Sequence, residues 1–266
     1  MRLFVIIFSA GYSKRFRDSF DKDIPKPLIP IYNKKLIDIH LNNLLNLKNI
    51  DIKSLRIYIN LHYKAFDIYN YVKVNYYEYL KKGIINFLFE PSLLGHIRTI
   101  DKLRSYILNS DLFFIINCDS VLVNFNNYFN VSLDFLFNYQ VDNIVFIADK
   151  KVTNDKKTYT HFETQDYFSI KLKNKLIKLQ KVKEISKINL LSKDNISLYI
   201  GYSIFKITKN FNSILLANNF KELNFIDFLK KLDLYSIKVS NFFEITQVKD
   251  YLNFLNFYLF YHKYLI

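Results

Sequence analysis

The chain contains 266 residues, half of them apolar and 18% aromatic, and carries a formal net charge of +14. This composition excludes a disordered chain, and the length predicts one substantial α/β core without requiring a second domain. The single cysteine, Cys118, excludes an intramolecular disulfide and predicts a reducing, cytoplasmic compartment. The first apolar run is too short for a signal peptide. We give the net charge little weight, because a bias toward A- and T-rich codons also inflates lysine.

The first predicted element is a strand over residues 4–8, a continuous apolar run that is typical of a strand buried on both faces. Three small residues follow, which allow the backbone to turn sharply beside a ligand: Ser9, Ala10 and Gly11. Three cations come next: Lys14, Arg15 and Arg17. In α/β proteins such a turn holds polyphosphate, since backbone N–H groups surround the anion and cations offset its charge. The alternative is a solvated basic turn.

Lys26 follows between Pro25 and Pro27, whose rings fix φ on both sides. Its ammonium group is therefore presented from a stiff segment. A lysine held in this way, close behind the small-residue turn, favours phosphate binding over the solvated alternative.

These two stretches resemble the signature of the nucleotidyltransferases that join a nucleoside triphosphate to a sugar 1-phosphate or to phosphocholine. In that family a strand leads into A-G-x-G-[TS]-R-[LMF], and P-K-[PA]-[LM]-[LIV]-P follows. Four residues match the first motif: Ala10, Gly11, Arg15 and Phe16. Residues 25–30 match the whole of the second. Ser13 stands where the family usually has its second glycine, and Lys14 where it has Thr or Ser.

Further along, predicted helices and strands alternate. Helical spacing of apolar residues marks three segments: 34–47, 65–82 and 97–108. Short apolar runs mark three strands: 55–61, 84–89 and 112–116. This alternation predicts a parallel sheet with helices on both faces and ligands at the carboxyl ends of the strands. The loops after Phe8, Phe89 and Ile116 should therefore converge. Residues 149–165 are predicted to be a polar excursion, and three strands follow: 168–172, 176–182 and 198–207.

The loop after Phe89 resembles the family's E-x-x-L-L-G-T-A-G-[AT]. Glu90 and Gly95 fit, which implies that both bind the nucleotide and that Gly95 lies against the base. Three small residues of the motif are replaced by large ones: His96, Ile97 and Arg98. Residues 60–63 (Asn-Leu-His-Tyr) also resemble the N-[LV]-H-[YH] of mannose-type guanylyltransferases.

Asp119 follows the buried strand that ends at Ile116. A carboxylate at such a place is unfavourable unless it is paired or metal-bound. The family has N-[GA]-D here, which implies that Asp119 binds Mg²⁺. Residues 242–251 resemble W-x-[DE]-I-[DG]-[TS]-x-x-D-[LY], which implies Glu244 as a second ligand, although Thr246 departs from the motif. A divalent cation held by one or two carboxylates and substrate phosphates suits this chemistry.

Two stretches resemble the acceptor side of the family. Residues 175–182 resemble a strand ending in E-K-P, of which the lysine, Lys181, remains; the resemblance implies that it binds the acceptor phosphate. Residues 199–205 match x-x-G-[IY]-x-[IL]-[FY], in which the backbone at Gly201 faces the sugar.

The resemblance spans residues 3–252 and implies a Rossmann-like, mixed but mostly parallel sheet with a small inserted sugar-binding lobe. It divides a single domain into a nucleotide-binding half (1–148), an acceptor-binding half (149–247) and a C-terminal helix (248–266). The implied activity is Mg²⁺-dependent transfer of a nucleotide from an NTP to a phosphorylated acceptor. GTP with a mannose- or heptose-type phosphate is favoured, and a phosphocholine-type cytidylyltransferase is the alternative.

Two hypotheses place the chain in other functional classes. The departures at Ser13, at residues 96–98 and at Thr246 would also suit a catalytically silent subunit that binds nucleotide or sugar phosphate. The chain lacks a clustered arginine and aromatic stripe, so nucleic-acid binding is not predicted.

Residues 248–266 are apolar on almost every side, so one face should pack on the catalytic domain and the other on a second subunit of a homodimer. The alternative is that this second face rests on a membrane surface.

Overall fold

The computed structural model describes residues 1–18, 23–150, 158–172, 175–189 and 196–261. The strands of the described part are β1 (Leu3–Phe8), β2 (Pro30–Ile31), β3 (Lys34–Lys35), β4 (Leu55–Leu61), β5 (Ile85–Phe89), β6 (Leu112–Asn117), β7 (Ser120–Leu122), β8 (Asn143–Lys150), β9 (Thr158–Leu172), β10 (Lys175–Asn189), β11 (Ile196–Lys206), β12 (Leu234–Lys238) and β13 (Phe242–Glu244). Its helices are α1 (Lys14–Arg17), α2 (Leu36–Leu45), α3 (Ala65–Asn75), α4 (Tyr77–Lys81), α5 (Gly95–Lys102), α6 (Arg104–Leu108), α7 (Phe125–Asn138), α8 (Lys209–Leu216), α9 (Phe225–Lys230) and α10 (Val248–Tyr261).

Nine of these strands form one sheet in the order β5-β4-β1-β6-β11-β8-β12-β10-β9. The first four are parallel neighbours, and β8 and β12 are a further parallel pair. β10 and β11 pair antiparallel with their neighbours, so they run opposite to the other seven strands of the sheet. The sheet is therefore mixed and mostly parallel, which confirms the predicted fold class.

Alternate residues of β1 enter two different cores. Leu3, Val5 and Ile7 pack on one face, beneath α2, α3 and α7. Phe4 and Ile6 pack on the other face, beneath α5, α6, α8 and α9. Burying each such side chain contributes about 1.5–3 kcal/mol. An apolar run without alternation thus produces a strand covered by helices on both faces, as predicted.

Two predicted helices are interrupted. The segment 65–82 forms α3 and α4, which meet at Tyr76, whose φ of −129° is not helical. The segment 97–108 begins earlier, at Gly95, and breaks at Leu103 between α5 and α6. The residues at both breaks, Tyr76 and Leu103, are buried.

The prediction of an excursion over residues 149–165 is wrong for its described part. Residues 149–150 end β8, and residues 158–165 begin β9, which pairs with β10 in a long antiparallel hairpin. Residues 151–157 lie outside the described residues. The strand was missed because its side chains are mostly polar and exposed, so that Phe162 alone among residues 160–167 is buried in the core.

A third apolar cluster lies under the predicted site and joins its pieces. It draws on the segments around Arg15, Lys26, Asp119 and Glu244 and on the inner face of α10; its members include Phe16, Ile29, Val121, Ile245, Tyr251, Phe254 and Tyr258. Phe243 adds ring contacts at 5.2 Å to Phe254 and 4.8 Å to Phe257. This packing therefore holds the predicted site residues that lie close to these residues in sequence in fixed positions relative to one another.

Asp250 fixes the start of α10. Its Oδ2 accepts hydrogen bonds from the backbone N–H groups of Thr246 and Gln247 and from the Thr246 hydroxyl. The outer face of the helix carries exposed Leu252, Leu259 and Phe260. Residues 262–266, which the sequence assigned to the same helix, lie outside the described residues. None of the described helices is long and apolar enough to cross a membrane.

Candidate active site

The predicted convergence of three loops produces a pocket of about 300 Å³ at the carboxyl ends of β1 and β6. Seven predicted site residues line it: Ala10, Gly11, Ser13, Lys26, Glu90, Gly95 and Asp119. The lining residues without a predicted site role include Phe8, Asn60, His96 and Asn117. Lining segments thus come from β1, from the proline segment and from the ends of β4, β5 and β6.

Asn60, at the end of β4, shapes the small-residue turn. Its Oδ1 accepts hydrogen bonds from the backbone N–H groups of Ser9 (2.6 Å) and Ala10 (3.3 Å). Its Nδ2 donates to Glu90 Oε1 at 3.0 Å. The residue is buried, so these bonds also satisfy its amide. Asn60 therefore ties the loops after β1 and β5 together, which is a structural role.

Glu90 is buried and organises its own loop. Besides Asn60, its carboxylate accepts from the Thr99 hydroxyl at 2.6 Å and from the Leu94 backbone N–H at 3.2 Å. These bonds place Gly95 at the start of α5 with a φ of +75°. Apart from the adjoining backbone, no atom of the described residues lies within 4 Å of the position that a Cβ would take on Gly95. The glycine therefore presents open space and bare backbone, as a flat base would require.

Ser13 adopts a φ of +57°, a left-handed conformation that glycine adopts freely. The serine at this position of the motif therefore keeps the backbone that a glycine would give, at a cost of about 1–2 kcal/mol. Its Oγ accepts a hydrogen bond from the Lys26 backbone N–H at 3.2 Å. The first motif is thus connected directly to the second.

The Lys26 ammonium donates to Asp119 Oδ2 at 2.7 Å, and both side chains are partly buried. The Asp119 carbonyl accepts from the Ile245 backbone N–H at 2.7 Å. Antiparallel pairing of β7 with β13 sets Glu244 opposite Ser120, the neighbour of Asp119. The structure therefore pairs Lys26 with Asp119 and places the backbone of Glu244 beside this pair.

These residues fit a divalent cation whose remaining ligands come from a substrate. Asp119 and Glu244 supply hard carboxylate oxygens, which Mg²⁺ prefers. Within the described residues, no group of three or more His, Cys, Asp or Glu side chains could hold a metal. A cation bound here would therefore be held by these two carboxylates and by phosphate oxygens of a substrate.

Gly201 packs against the pocket wall. It has a φ of +84°, and a Cβ added there would lie 2.7 Å from Cβ of Asn117. Asn117 lines the pocket, and its Oδ1 lies 3.1 Å from His96 Nε2. The glycine is therefore needed to let β11 approach the end of β6.

We expect Gly201→Ala to lower the free energy of unfolding by about 3–4 kcal/mol, since it adds left-handed strain and a steric overlap. Gly95→Ala is the matched control, because its φ is also positive but its Cβ would meet open space. It should lose only the strain, about 1–2 kcal/mol. Equal losses in urea denaturation would contradict a close contact between Gly201 and Asn117.

His40 contacts the backbone of Cys118, which lines the pocket. It is fully buried, its Nε2 donates to the Cys118 carbonyl at 2.9 Å, and burial lowers its pKa to about 4. Burial likewise raises the pKa of the Cys118 thiol, which leaves it protonated and unsuited to act as a nucleophile.

Because the folded His40 resists protonation, the unfolded chain binds an extra proton between pH 6.5 and about 4. Stability should therefore be lost as the pH falls through this window, by about 2 kcal/mol between pH 7 and pH 5. His40→Gln keeps a donor for Cys118 but does not titrate, so its urea midpoint should fall less over the same interval. Equal falls in both proteins would assign the pH dependence to other groups.

Five predicted residues lie outside the pocket lining. Lys14 and Arg15 lie on the exposed face of α1, beside the pocket, and Lys14 lies over the Tyr12 ring at 5.8 Å. The neighbouring cation Arg17 donates to Asp23 and Tyr63. Gly201 packs against Asn117 of the pocket wall, and Glu244 pairs with Ser120, the neighbour of Asp119. Lys181 is the fifth.

Lys181 is not brought to the pocket. Its ammonium lies 3.1 Å from Asp233, just before β12, and over the Tyr235 ring. That places it toward the amino end of β12, whereas the pocket lies at the carboxyl ends of β1 and β6.

The fold is similar to that of solved sugar-1-phosphate nucleotidyltransferase structures. HddC from Yersinia pseudotuberculosis, complexed with GMP-PN, matches with a TM-score of 0.65 and 18% identity over 97% of this chain and 100% of its own. UDP-glucose pyrophosphorylase from Acinetobacter baumannii matches with a TM-score of 0.66 and 14% identity over 97% and 93%. A UDP-glucose pyrophosphorylase complexed with UDP-glucose matches with a TM-score of 0.61 and 17% identity over 97% and 99%.

At these identities the similarity establishes the fold, and it confirms at that level the resemblance seen in the motifs. No protein-family model matches the sequence, and no curated protein is similar to it in sequence.

Proposed function

We propose that this chain is a nucleotidyltransferase that joins an NTP to a sugar 1-phosphate, releasing pyrophosphate and an NDP-sugar. The observation that carries the proposal is the Lys26–Asp119 pair, set in a pocket between the small-residue turn and the open space at Gly95. The pocket and its surroundings supply the parts that the reaction needs: Lys26 for the phosphates, Asp119 for a metal and a bare backbone at Gly95 for a base.

In this reaction a phosphate oxygen of the acceptor attacks the α-phosphate in line, the α–β phosphoanhydride bond breaks, and pyrophosphate leaves with the bonding electrons. No covalent enzyme intermediate is needed, so catalysis consists of positioning and charge neutralisation. Lys26 offsets the repulsion between the α-phosphate and the incoming phosphate. Lys14 and Arg15 bind the β- and γ-phosphates, while the backbone of residues 10–13 surrounds them and Gly95 contacts the base.

Asp119 and Glu244 would hold the Mg²⁺. When bound, this ion neutralises phosphate charge and orients the triphosphate. The Lys26–Asp119 bond keeps both side chains in place before the substrates enter.

For the substrates, we propose GTP and a mannose- or heptose-type phosphate. The resemblance at residues 60–63 supports this choice, as does the GMP-PN complex of HddC, a protein of the same fold. The two pyrophosphorylases of that fold make UTP the first competitor to test. A phosphocholine-type cytidylyltransferase is the alternative.

The experiment is a pyrophosphate-release assay with each of the four NTPs, a panel of phosphorylated sugars and phosphocholine, with and without Mg²⁺. The proposal expects release that depends on one sugar phosphate and on the metal. Release with phosphocholine alone would establish the alternative.

The position of Lys181 favours one candidate of another class, a silent subunit that binds nucleotide or sugar phosphate. Its ammonium is paired with Asp233 and lies away from the pocket. Tight NTP binding without pyrophosphate release, over the whole panel, would establish this candidate. Ser13 does not support it, because the serine preserves the left-handed turn and contacts Lys26.

A homodimer through α10 is part of the proposal. The inner face of the helix is buried in the third cluster, while Leu252, Leu259 and Phe260 remain exposed on the outer face. We expect the protein to sediment as a dimer without detergent, and the double variant Leu259→Glu/Phe260→Glu to sediment as a folded monomer. A wild-type monomer that floats with anionic vesicles would instead establish the membrane surface as the partner.

A further inference from the structure

His62 directly follows β4 and makes two hydrogen bonds that reach different loops of the site. Its Nδ1 lies 2.9 Å from the backbone carbonyl of Glu90, and its Nε2 lies 2.9 Å from the Tyr12 hydroxyl. The Tyr12 ring packs edge-on against the imidazole at a centroid distance of 5.2 Å. His62 therefore joins the loop after β5 to the turn after β1.

The two partners of His62 determine the direction of both hydrogen bonds. The carbonyl oxygen of Glu90 can only accept, so Nδ1 of His62 carries the ring proton. In the neutral ring Nε2 then has a free lone pair, and the Tyr12 hydroxyl donates to it. The bond to Tyr12 therefore depends on an acceptor at the position of Nε2.

The turn of residues 10–13 is held at its middle by this bond. Asn60 and Lys26 hold the two ends of the turn, as described above, and His62 holds Tyr12 between them. Ser13, the next residue, has a left-handed φ of +57°, which is strained for a residue with a Cβ. A strained residue keeps its conformation only when its surroundings hold it there. The bond from Tyr12 therefore helps to keep the turn in one shape.

Tyr12 also supports a cation. The Lys14 ammonium lies over the Tyr12 ring, 5.8 Å from its centroid, which is within the range of a cation–π contact. In the proposed function, Lys14 and the backbone of residues 10–13 act on the same two phosphates, the β and the γ. Fixing the Tyr12 ring therefore fixes the surface on which the Lys14 side chain rests.

We infer that His62 is a positioning residue for the triphosphate. By accepting a hydrogen bond from Tyr12, it holds residues 10–14 in the conformation that binds the β- and γ-phosphates. The inference rests on the proposed function and extends it to a histidine that acts through another residue. The α-phosphate and the base, which the proposed function assigns to Lys26 and Gly95, do not depend on this bond.

Three variants separate the hydrogen bonds of His62. His62→Gln places an amide oxygen close to Nε2 and keeps an acceptor for Tyr12, whereas His62→Asn places an amide N–H close to Nδ1 and keeps only the donor to Glu90. Tyr12→Phe removes the hydroxyl but keeps the ring under Lys14. Calorimetric titration with Mg²⁺ and without acceptor gives the Kd of each of the four NTPs and of the matching NMPs.

His62→Asn and Tyr12→Phe should each raise the Kd of the tightest-binding NTP by roughly 3- to 10-fold, the range that loss of one hydrogen bond allows. The Kd of the matching NMP should change by less than about twofold, because that ligand lacks the β- and γ-phosphates. His62→Gln should remain close to the wild-type protein for both ligands. The double variant His62→Asn/Tyr12→Phe should lose no more than either single variant, since both remove the same bond.

Equal rises in Kd for the NTP and the NMP would assign His62 to general packing and overturn the inference. Unchanged NTP binding in both His62→Asn and Tyr12→Phe would also overturn it. His62 is only partly buried and Tyr12 is 40% exposed, so both substitutions should fold, which thermal unfolding checks.

The binding test is independent of turnover. The expected Kd ratios without pyrophosphate release, over the whole panel of acceptors, would overturn the proposed reaction and leave the role of His62 standing. A wild-type protein that binds none of the four NTPs would overturn both.

Discussion

Replacing Lys26 with alanine is expected to lower kcat by about two to three orders of magnitude. The ammonium lines the pocket and lies 2.7 Å from Asp119, the proposed metal ligand. In the proposed reaction, two phosphate groups are brought together at this point. The ammonium therefore acts mainly on charge that develops in the transition state, which affects kcat more than KM. The free energy of unfolding should change by less than about 1 kcal/mol, since the pair is partly exposed.

Two variants make this test specific. Lys48→Ala removes an exposed lysine that does not line the pocket and should leave turnover unchanged. Lys26→Arg keeps the charge but replaces a compact ammonium with a planar group, so it should restore only part of the rate. If Lys26→Ala retained near wild-type turnover, the assignment of the phosphate site would be wrong.

The sequence predicted the part of the fold that depends on apolar runs. β1 and β6 are buried on both faces, so their segments are continuous apolar stretches whose ends can be found to within a residue. Because these strands are parallel, the loops after them had to meet at one edge. The convergence of Ala10, Glu90 and Asp119 on one pocket follows from that rule.

Residues 149–247 were predicted less well because antiparallel register is not determined by local sequence. The place of Lys181 depends on the register of β10 with β12, which sets Lys181 opposite Tyr235 and close to Asp233. Nothing in residues 175–182 determines that partner. A motif match therefore identified the strand, but the position of its lysine depended on distant residues.

His96 shows the same limitation at a single residue. The sequence marked it as a departure from a motif of small residues, but its surroundings come from Phe8, Asn117 and Phe225, which are far apart in the chain. Ser13 is the opposite case. The sequence marked it as a departure from a motif glycine, but the structure shows that it keeps the left-handed φ that a glycine adopts freely.

Asp119→Asn and Glu244→Gln are each expected to raise the Mg²⁺ concentration for half-maximal activity by roughly an order of magnitude or more, since each removes one carboxylate charge from the ion. The double variant should lose less than the product of the two single effects, because both carboxylates bind one ion and its loss can occur only once. Backbone pairing between β7 and β13 brings the two residues together independently of their side chains, so neither substitution should displace the other residue.

Asp250→Asn is the matched control for this metal test. Its carboxylate lies six residues after Glu244 but accepts hydrogen bonds from Thr246 and Gln247 at the start of α10. The substitution should lower the free energy of unfolding by about 1 kcal/mol, as loss of a helix cap does, without changing the Mg²⁺ requirement. Independent, multiplicative losses for Asp119→Asn and Glu244→Gln would show that the two carboxylates do not share an ion, and Glu244 would then be assigned to the packing of β13 against β7.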